Sequence, residues 1–508
     1  MAISLTRLSY AGCRAGRSHQ RSSNRCDTAD SFLTESLDEW YRHYAGHKDT
    51  LEIAEIYDRY PELTSLETAT TLGAAAEADS GVKELWHFAC SEYLSNLTKT
   101  HAEQVAAKEA QVEAKVGDET IGFRMLRPTM ANEPDRDRRR AIEAARNELS
   151  EEHMNPIYRE AAAVSLAAVK DLGAPDMVEL HRRFGFRLDD LADQCRAVLA
   201  DTETLFEETI DPLLRERLGI SLGEAERWDI PRLFRAAEWD PQFGADAMMP
   251  ALEGTLSGMG IDIRSQSNVE LDVEQREKKS PRAFCAPIEV PGRVVLVIQP
   301  IGGVDDWRAL FHEAGHTEHF ALTSADLTME ERRLGDNAVT EGWASLFDHL
   351  VSDPTWLDRR LSFPDPRGFT AESAAQELWF LRRYSAKLLY ELELYLADDI
   401  ESMRSRYVEI LGGALKVEPS PTDWLFDVDP GFYCTEYLRS WAFEAQMRFH
   451  LCERFGYDWF AKPAAGSLLG ELWALGQKPT ADEMLADVTG AGIEMAAVTE
   501  RAREMLPS

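Results

Sequence analysis

No stretch of this sequence approaches the roughly 18 to 20 consecutive apolar residues that span a bilayer, which argues against a membrane-embedded enzyme. Positive charge is short as well. The 55 lysines and arginines stand against 89 acids, a formal net charge of −34 that repels a phosphate backbone and argues against a nucleic-acid partner. Cysteine is sparse: Cys13, Cys26, Cys90, Cys195, Cys285, Cys434 and Cys452 are odd in number and form no C-x-x-C pair. That usage fits a reducing compartment, and the cytoplasm is the expected location. The first 26 residues lack the apolar centre of a secretory signal, and they lack any acid while carrying Arg7, Arg14, Arg17, Arg21 and Arg25. An Arg- and Ser-rich, acid-free start has the character of a transit peptide or of a disordered tail, and the tail is the expectation for residues 1–27.

What remains is helix. The composition, 44% hydrophobic and 28% charged over 508 residues, is that of a globular chain long enough for two to four domain-sized units. From residue 28 onward, apolar residues recur at three- and four-residue spacing with charges between them, and strand-like alternation is scarce. A mainly α fold is therefore expected, with an N-terminal helical region over 28–215 and a second region over 216–508 that holds the motifs described below. The charge run Arg136 to Arg140 reads as a solvated helix start, and the Leu- and Tyr-rich "WFLRRYSAKLLYELELYLADDI" as a helix built into the core.

One segment departs from this habit. Residues 284–299, "FCAPIEVPGRVVLVIQ", hold two extended apolar runs separated by "PG", which predicts a short hairpin. An exposed strand edge there could pair with an extended peptide through main-chain hydrogen bonds.

Directly after it, "ALFHEAGHTEHF" contains His312, Glu313 and His316 as H-E-x-x-H on a helical pattern. Four residues turn a helix by 400°, so the two imidazoles lie about 40° apart on one face, able to grip one ion. Neutral imidazole suits zinc, and the intervening glutamate can serve as general base. With only 12 histidines in 508 residues the motif is moderately specific, and its context decides. A catalytic zinc needs a third protein ligand. The extended H-E-x-x-H-x-x-G-x-x-H class is excluded, because positions 319 and 322 hold His319 and Leu322. Glu341, 25 residues after His316 in "DNAVTEGWASLFDHLV", is an acid among Ala, Val, Trp, Leu and Phe, costly to bury unless paired or metal-bound. Gly342 beside it permits close helix approach. Glu318 points away from the ligand face, and Glu330 and Glu331 lie in a charged stretch. His319 is expected at a substrate or supporting contact.

Three segments together resemble the thimet oligopeptidase and oligoendopeptidase F family of zinc peptidases. They are "KKSPRAFCAPIEVPGRVVLVIQPIGGVDDWRALFHEAGHTEH", with Gly315 and His319 matching; "DNAVTEGWASLF", which matches the region of the third zinc ligand; and "GFYCTEYLRSWAFEAQMRFH", similar to a tyrosine-rich helix start. The resemblance is clearest over roughly 220–455. It departs from the pattern at two points: the tyrosines lack the histidine that precedes them in the family, none lying between 351 and 449, and Ser440 replaces the last tyrosine. The spacing in "EYLRSWAF" also resembles the tyrosine–x–arginine helix of the angiotensin-converting-enzyme family.

This likeness implies two mostly helical lobes around a deep channel and one zinc per chain, held by His312, His316 and Glu341. It further implies hydrolysis of short unfolded peptides, with Glu313 as base and Tyr437 and Tyr433 as candidates to stabilise the oxyanion. Cleavage within a peptide is the leading expectation. Removal of residues from its end is the alternative, for which Arg439 and Arg282 are candidate carboxylate anchors. A catalytically inactive peptide-binding relative is a further alternative.

Overall fold

The computed structural model describes residues 17–77, 80–280 and 282–506, with side chains placed from residue 25. The chain is mainly helical, and among the described residues its strands form two small sheets. No described helix is long and apolar enough to cross a membrane. The basic start differs from the expected tail: a helix begins at Arg17 and runs to Tyr44, so residues 17–27 are helical. Residues 1–16 lie outside the described part.

The first sheet is a small hairpin of β1 (Glu113–Val116) and β2 (Glu119–Gly122). The second positions the candidate site. Its strands β3 (Val269–Asp272), β4 (Phe284–Glu289) and β5 (Arg293–Val297) lie in the order β3-β5-β4. β4 and β5 form the expected hairpin, antiparallel from Phe284 opposite Val297 to Glu289 opposite Arg293, with a register shift between Pro287 and Glu289. β3 adds in parallel to β5, leaving β4 at an edge.

Alternation along the hairpin gives the sheet two apolar faces. Phe284, Ala286, Ile288, Val295 and Val297 pack beneath the N-terminal helix against Leu37, Tyr41 and Ala45. On the other face, Leu296 and Ile298 join the main core with Trp307, Leu310, Phe311 and Ala314. A buried ion cluster fastens the end of β3: Asp272 receives the Lys279 ammonium at 2.9 Å and the Arg276 guanidinium, with Tyr41 Oη at 3.3 Å.

The main core crosses the expected boundary at residue 215. Phe32, Leu85, Val178, Phe184 and Leu188 belong to the same apolar cluster as Phe311, Trp343 and Phe443. Smaller cores surround Phe206 and Trp379, and Tyr390 and Tyr407. The Leu- and Tyr-rich segment is, as read, part of a long core helix, Pro366–Leu396, with Leu381, Leu388, Tyr390 and Leu394 buried.

Candidate metal centre

Three helices build the site: the histidine helix Val304–Leu322, the glutamate helix Asn337–Asp348 and the tyrosine helix Cys434–Phe455. The chain turns into the histidine helix through Gly302 and Gly303, both at positive φ (92° and 91°), and Asp306 accepts the N–H groups of Ile301 and Gly302. Asp336 caps the glutamate helix, accepting from Ala338 N–H at 3.0 Å. That helix is buried from Ala338 to Phe347, so it passes through the core between the other two.

Glycine sets how closely the helices approach. A Cβ at Gly315 would stand 2.6 Å from Ala344 Cα and Trp343 O, and one at Gly342 would stand 2.3 Å from the Phe443 ring. The close approach expected at Gly342 is therefore present, against the tyrosine helix.

These contacts bring His312, His316 and Glu341 together, with one ligand atom of each lying within 4.8 Å of the others. Glu341 Oε2 is 3.5 Å from His312 Nε2 and 3.8 Å from His316 Nε2. Tetrahedral donors about 2.0–2.2 Å from zinc stand about 3.3–3.6 Å apart, so the donor types suit that ion and the separations of Glu341 Oε2 from the two imidazoles lie close to that span. The other ring nitrogens are engaged. His312 Nδ1 donates to Asp348 Oδ2 at 3.1 Å, and its Nε2 faces Glu341; His316 Nδ1 is paired with Thr340 Oγ1 at 2.8 Å. The Glu341 carboxylate divides its oxygens: Oε2 faces the imidazoles, and Oε1 accepts from Tyr433 Oη at 2.8 Å.

Charge follows from these contacts. Burial opposes the charged form of His312, but hydrogen bonds to Asp348 and Glu341 outweigh it and hold the imidazole above its ordinary pKa. Burial, reinforced by His312, pushes His316 down to about 3 and keeps that ring neutral. Against its burial, Glu341 is held at about 2, chiefly by the His312 hydrogen bond.

Glu313 lies beside this trio. Burial lifts its carboxyl to about 7, partly offset by His312 and by the N–H of Cys285, which donates to Glu313 Oε2 at 2.8 Å. Glu313 is thereby tied to the backbone of edge strand β4. Tyr437 and Tyr433 meet edge to face, ring centroids 5.2 Å apart. Burial and Glu341 push both phenols up, so each stays protonated, and Tyr437 also lies within electrostatic reach of Glu313. Tyr433 is committed to Glu341, whereas the Tyr437 hydroxyl has no hydrogen-bond partner among the described residues.

Two residues expected at substrate contacts are engaged by partners within the protein. His319 is fully buried, its Nε2 3.2 Å from the Gly476 carbonyl, so it has no face open to a substrate. Arg439 is held by Asp336, by Glu436 at 3.2 Å and by Asp482 at 3.5 Å. Because Asp336 also accepts from Ala481 N–H at 2.9 Å, Arg439 acts as a clamp between the glutamate and tyrosine helices. Glu318, as expected, points away: it is buried and accepts from Gln266 Nε2 at 2.8 Å. Ser440 is also buried, and its hydroxyl returns to the Tyr437 carbonyl.

Sequence reading missed Asp348 and Thr340. Asp348 lies seven residues after Glu341, two helical turns along the same face, and that spacing is a signal that could have found it. Thr340 carried none beyond adjacency to Glu341. The histidine missing before the tyrosines has a neighbour from elsewhere. The loop turns through Gly431 and Phe432 (φ 66° and 57°), and buried His181 packs on Phe432 with ring centroids 5.2 Å apart. Compared with family models and with curated proteins, the chain matches none.

Proposed function

We propose that this chain is a zinc-dependent peptidase of short oligopeptides, of the oligoendopeptidase kind that its resemblance implies. One observation carries the reading: the His312, His316 and Glu341 donors converge beside a glutamate that is itself hydrogen-bonded to an edge strand. When bound, zinc would supply Lewis acidity to water and to the scissile carbonyl.

The rest is work for the chain's own side chains. A peptide extended along β4 brings its carbonyl next to Glu313. With a carboxyl balanced near neutrality, Glu313 takes a proton from the attacking water and delivers it to the departing amine. Tyr437 donates its unpartnered hydroxyl to the developing oxyanion, a contribution of about 3–4 kcal/mol where such donors have been removed. Tyr433 holds the Glu341 carboxylate in position, and Asp348 and Thr340 orient the imidazoles. The proposal includes two helical lobes around a channel too narrow for folded proteins, and a cytoplasmic location in keeping with the unpaired cysteines.

Exchange of Glu313→Gln tests the assignment. Zinc content should persist while peptide turnover is abolished; unchanged turnover would overturn the mechanism, and a wild-type chain that binds peptides without cleaving them would leave only a peptide-binding role. Cleavage from a terminus shares all of this chemistry. One observation favours it: Arg282, just before β4, has no partner for its guanidinium among the described residues, and cleavage of peptides blocked at the C-terminus separates the two modes.

A further inference from the structure

Beyond the metal centre, the free edge of β4 leads into an apolar groove. Its walls include Trp40, Tyr44, Phe284 and Ala286, and its volume is about 310 Å³, room for one large side chain. Trp40 and Tyr44 stack one turn apart on the N-terminal helix, ring centroids 5.2 Å apart and nearly parallel, with Phe284 edge-on to Tyr44 at 6.5 Å. Trp40 and Tyr44 remain 39% exposed, which places them among the exposed large hydrophobic residues of the described part.

The strand dictates which part of a peptide reaches this groove. In a β-strand the N–H and C=O of one residue point to the same side, so the Cys285 N–H that reaches Glu313 shows that Cys285 turns its backbone outward. Further along the edge, Arg333 occupies the carbonyls of Pro287 and Ile288 at 3.3 and 3.1 Å, and Pro287 has no N–H. The open edge therefore runs from the Cys285 carbonyl back towards Arg282, the Cys285 N–H being held by Glu313. Antiparallel pairing, the commoner and more stable arrangement, sends the C-terminal half of a bound peptide in that direction. Side chains alternate across a strand. Cys285 faces Thr317 on the histidine helix, whereas Phe284 and Ala286 face the N-terminal helix. A peptide residue neighbouring one on the metal side therefore has its side chain in the groove. At the rim stands Arg282, exposed, with no ion-pair or hydrogen-bond partner for its guanidinium among the described residues. Arg439, the other candidate anchor, is engaged by Asp336, Glu436 and Asp482.

We propose that this groove takes a bulky apolar side chain from the C-terminal half of a peptide lying along β4, and that Arg282 takes the terminal carboxylate beyond it. The proposal rests on the peptidase reading for its substrate and adds how a peptide with a free C-terminus near the site is gripped.

The test is calorimetric titration of zinc-loaded Glu313→Gln chain with hexapeptides carrying Phe or Ala at each position in turn, ending in a free acid or an amide. One position in the C-terminal half should favour Phe over Ala by about tenfold, the value of burying much of one aromatic side chain. Trp40→Ala should reduce that ratio to about twofold, Tyr44→Ala should do likewise from the other wall, and Arg282→Ala should erase the preference for the free acid. A Phe-to-Ala ratio that neither aromatic exchange alters would overturn the groove assignment, even if the wild-type chain cleaves the peptides. Conversely, the expected binding pattern in a wild-type chain that leaves the peptides intact would overturn the peptidase reading and spare the groove.

Discussion

Replacing Gly315 by alanine tests whether helix approach sets the metal geometry. The added Cβ would sit 2.6 Å from Ala344 Cα and Trp343 O, and 3.0 Å from Ala344 N, where ordinary contact begins at 3.4 Å. All three are backbone atoms of the glutamate helix and cannot swing aside as a side-chain end can. The two helices must therefore separate by roughly 1 Å, an overpacking strain of about 1–3 kcal/mol. Alanine's better helix propensity returns about 1 kcal/mol, so the metal-free variant should be destabilised by no more than about 2 kcal/mol. The effect on zinc is larger in kind. His312 and His316 lie on one helix and Glu341 on the other, and ligand distances tolerate only about 0.2 Å. Gly315→Ala should weaken zinc binding at least about tenfold, measured by competition with a chelator, with metal-free stability followed by denaturant unfolding. Unchanged zinc affinity, with the metal-free form stabilised by about 1 kcal/mol as propensity alone dictates, would refute this reasoning.

Other expectations concern individual partners. Asp348→Ala removes the acceptor for His312 Nδ1 and should lower zinc affinity about 10- to 100-fold without abolishing it. Tyr437→Phe should lower kcat about 10²- to 10³-fold with zinc affinity retained, whereas Tyr433→Phe should loosen zinc, because that hydroxyl holds Glu341. Equal effects of the two exchanges on kcat and on zinc would contradict their separate roles. Away from the site, the Asp272 carboxyl is buried, yet Arg276 and Lys279 hold it down at about 2. A depressed carboxyl stabilises the fold above its unfolded pKa of about 4, and that stabilisation, on the order of 2 kcal/mol, is lost as pH falls from about 4 to about 2. Asp272→Asn should lack this component, seen as a shallower fall of the denaturation midpoint with acid; identical slopes would contradict it.

Residues whose chemistry depends on spacing along one helix were legible in the sequence. His312, Glu313 and His316 follow from helical periodicity, and Glu341 stood out as an acid in an apolar run. The β4–β5 hairpin was legible from its β-branched residues and "PG" turn, but β3 was not, since four residues joined in parallel to a distant strand leave no local pattern. His319 misled because it shares the ligand face yet lies a turn beyond the trio, against the Gly476 carbonyl. Arg439 looked free because its partners, Asp336 and Asp482, arrive from other helices. Tertiary contacts of this kind also supply Asp348 to His312 and the Cys285 N–H to Glu313, and no spacing in one segment encodes them.

The central claim is that Glu341, from a separate helix, completes a zinc site with His312 and His316. Zinc content per chain, measured by elemental analysis on the wild type and on Glu341→Ala, tests it most directly. One zinc per wild-type chain with little or none in the variant is the predicted result. A full zinc complement in Glu341→Ala would contradict the account.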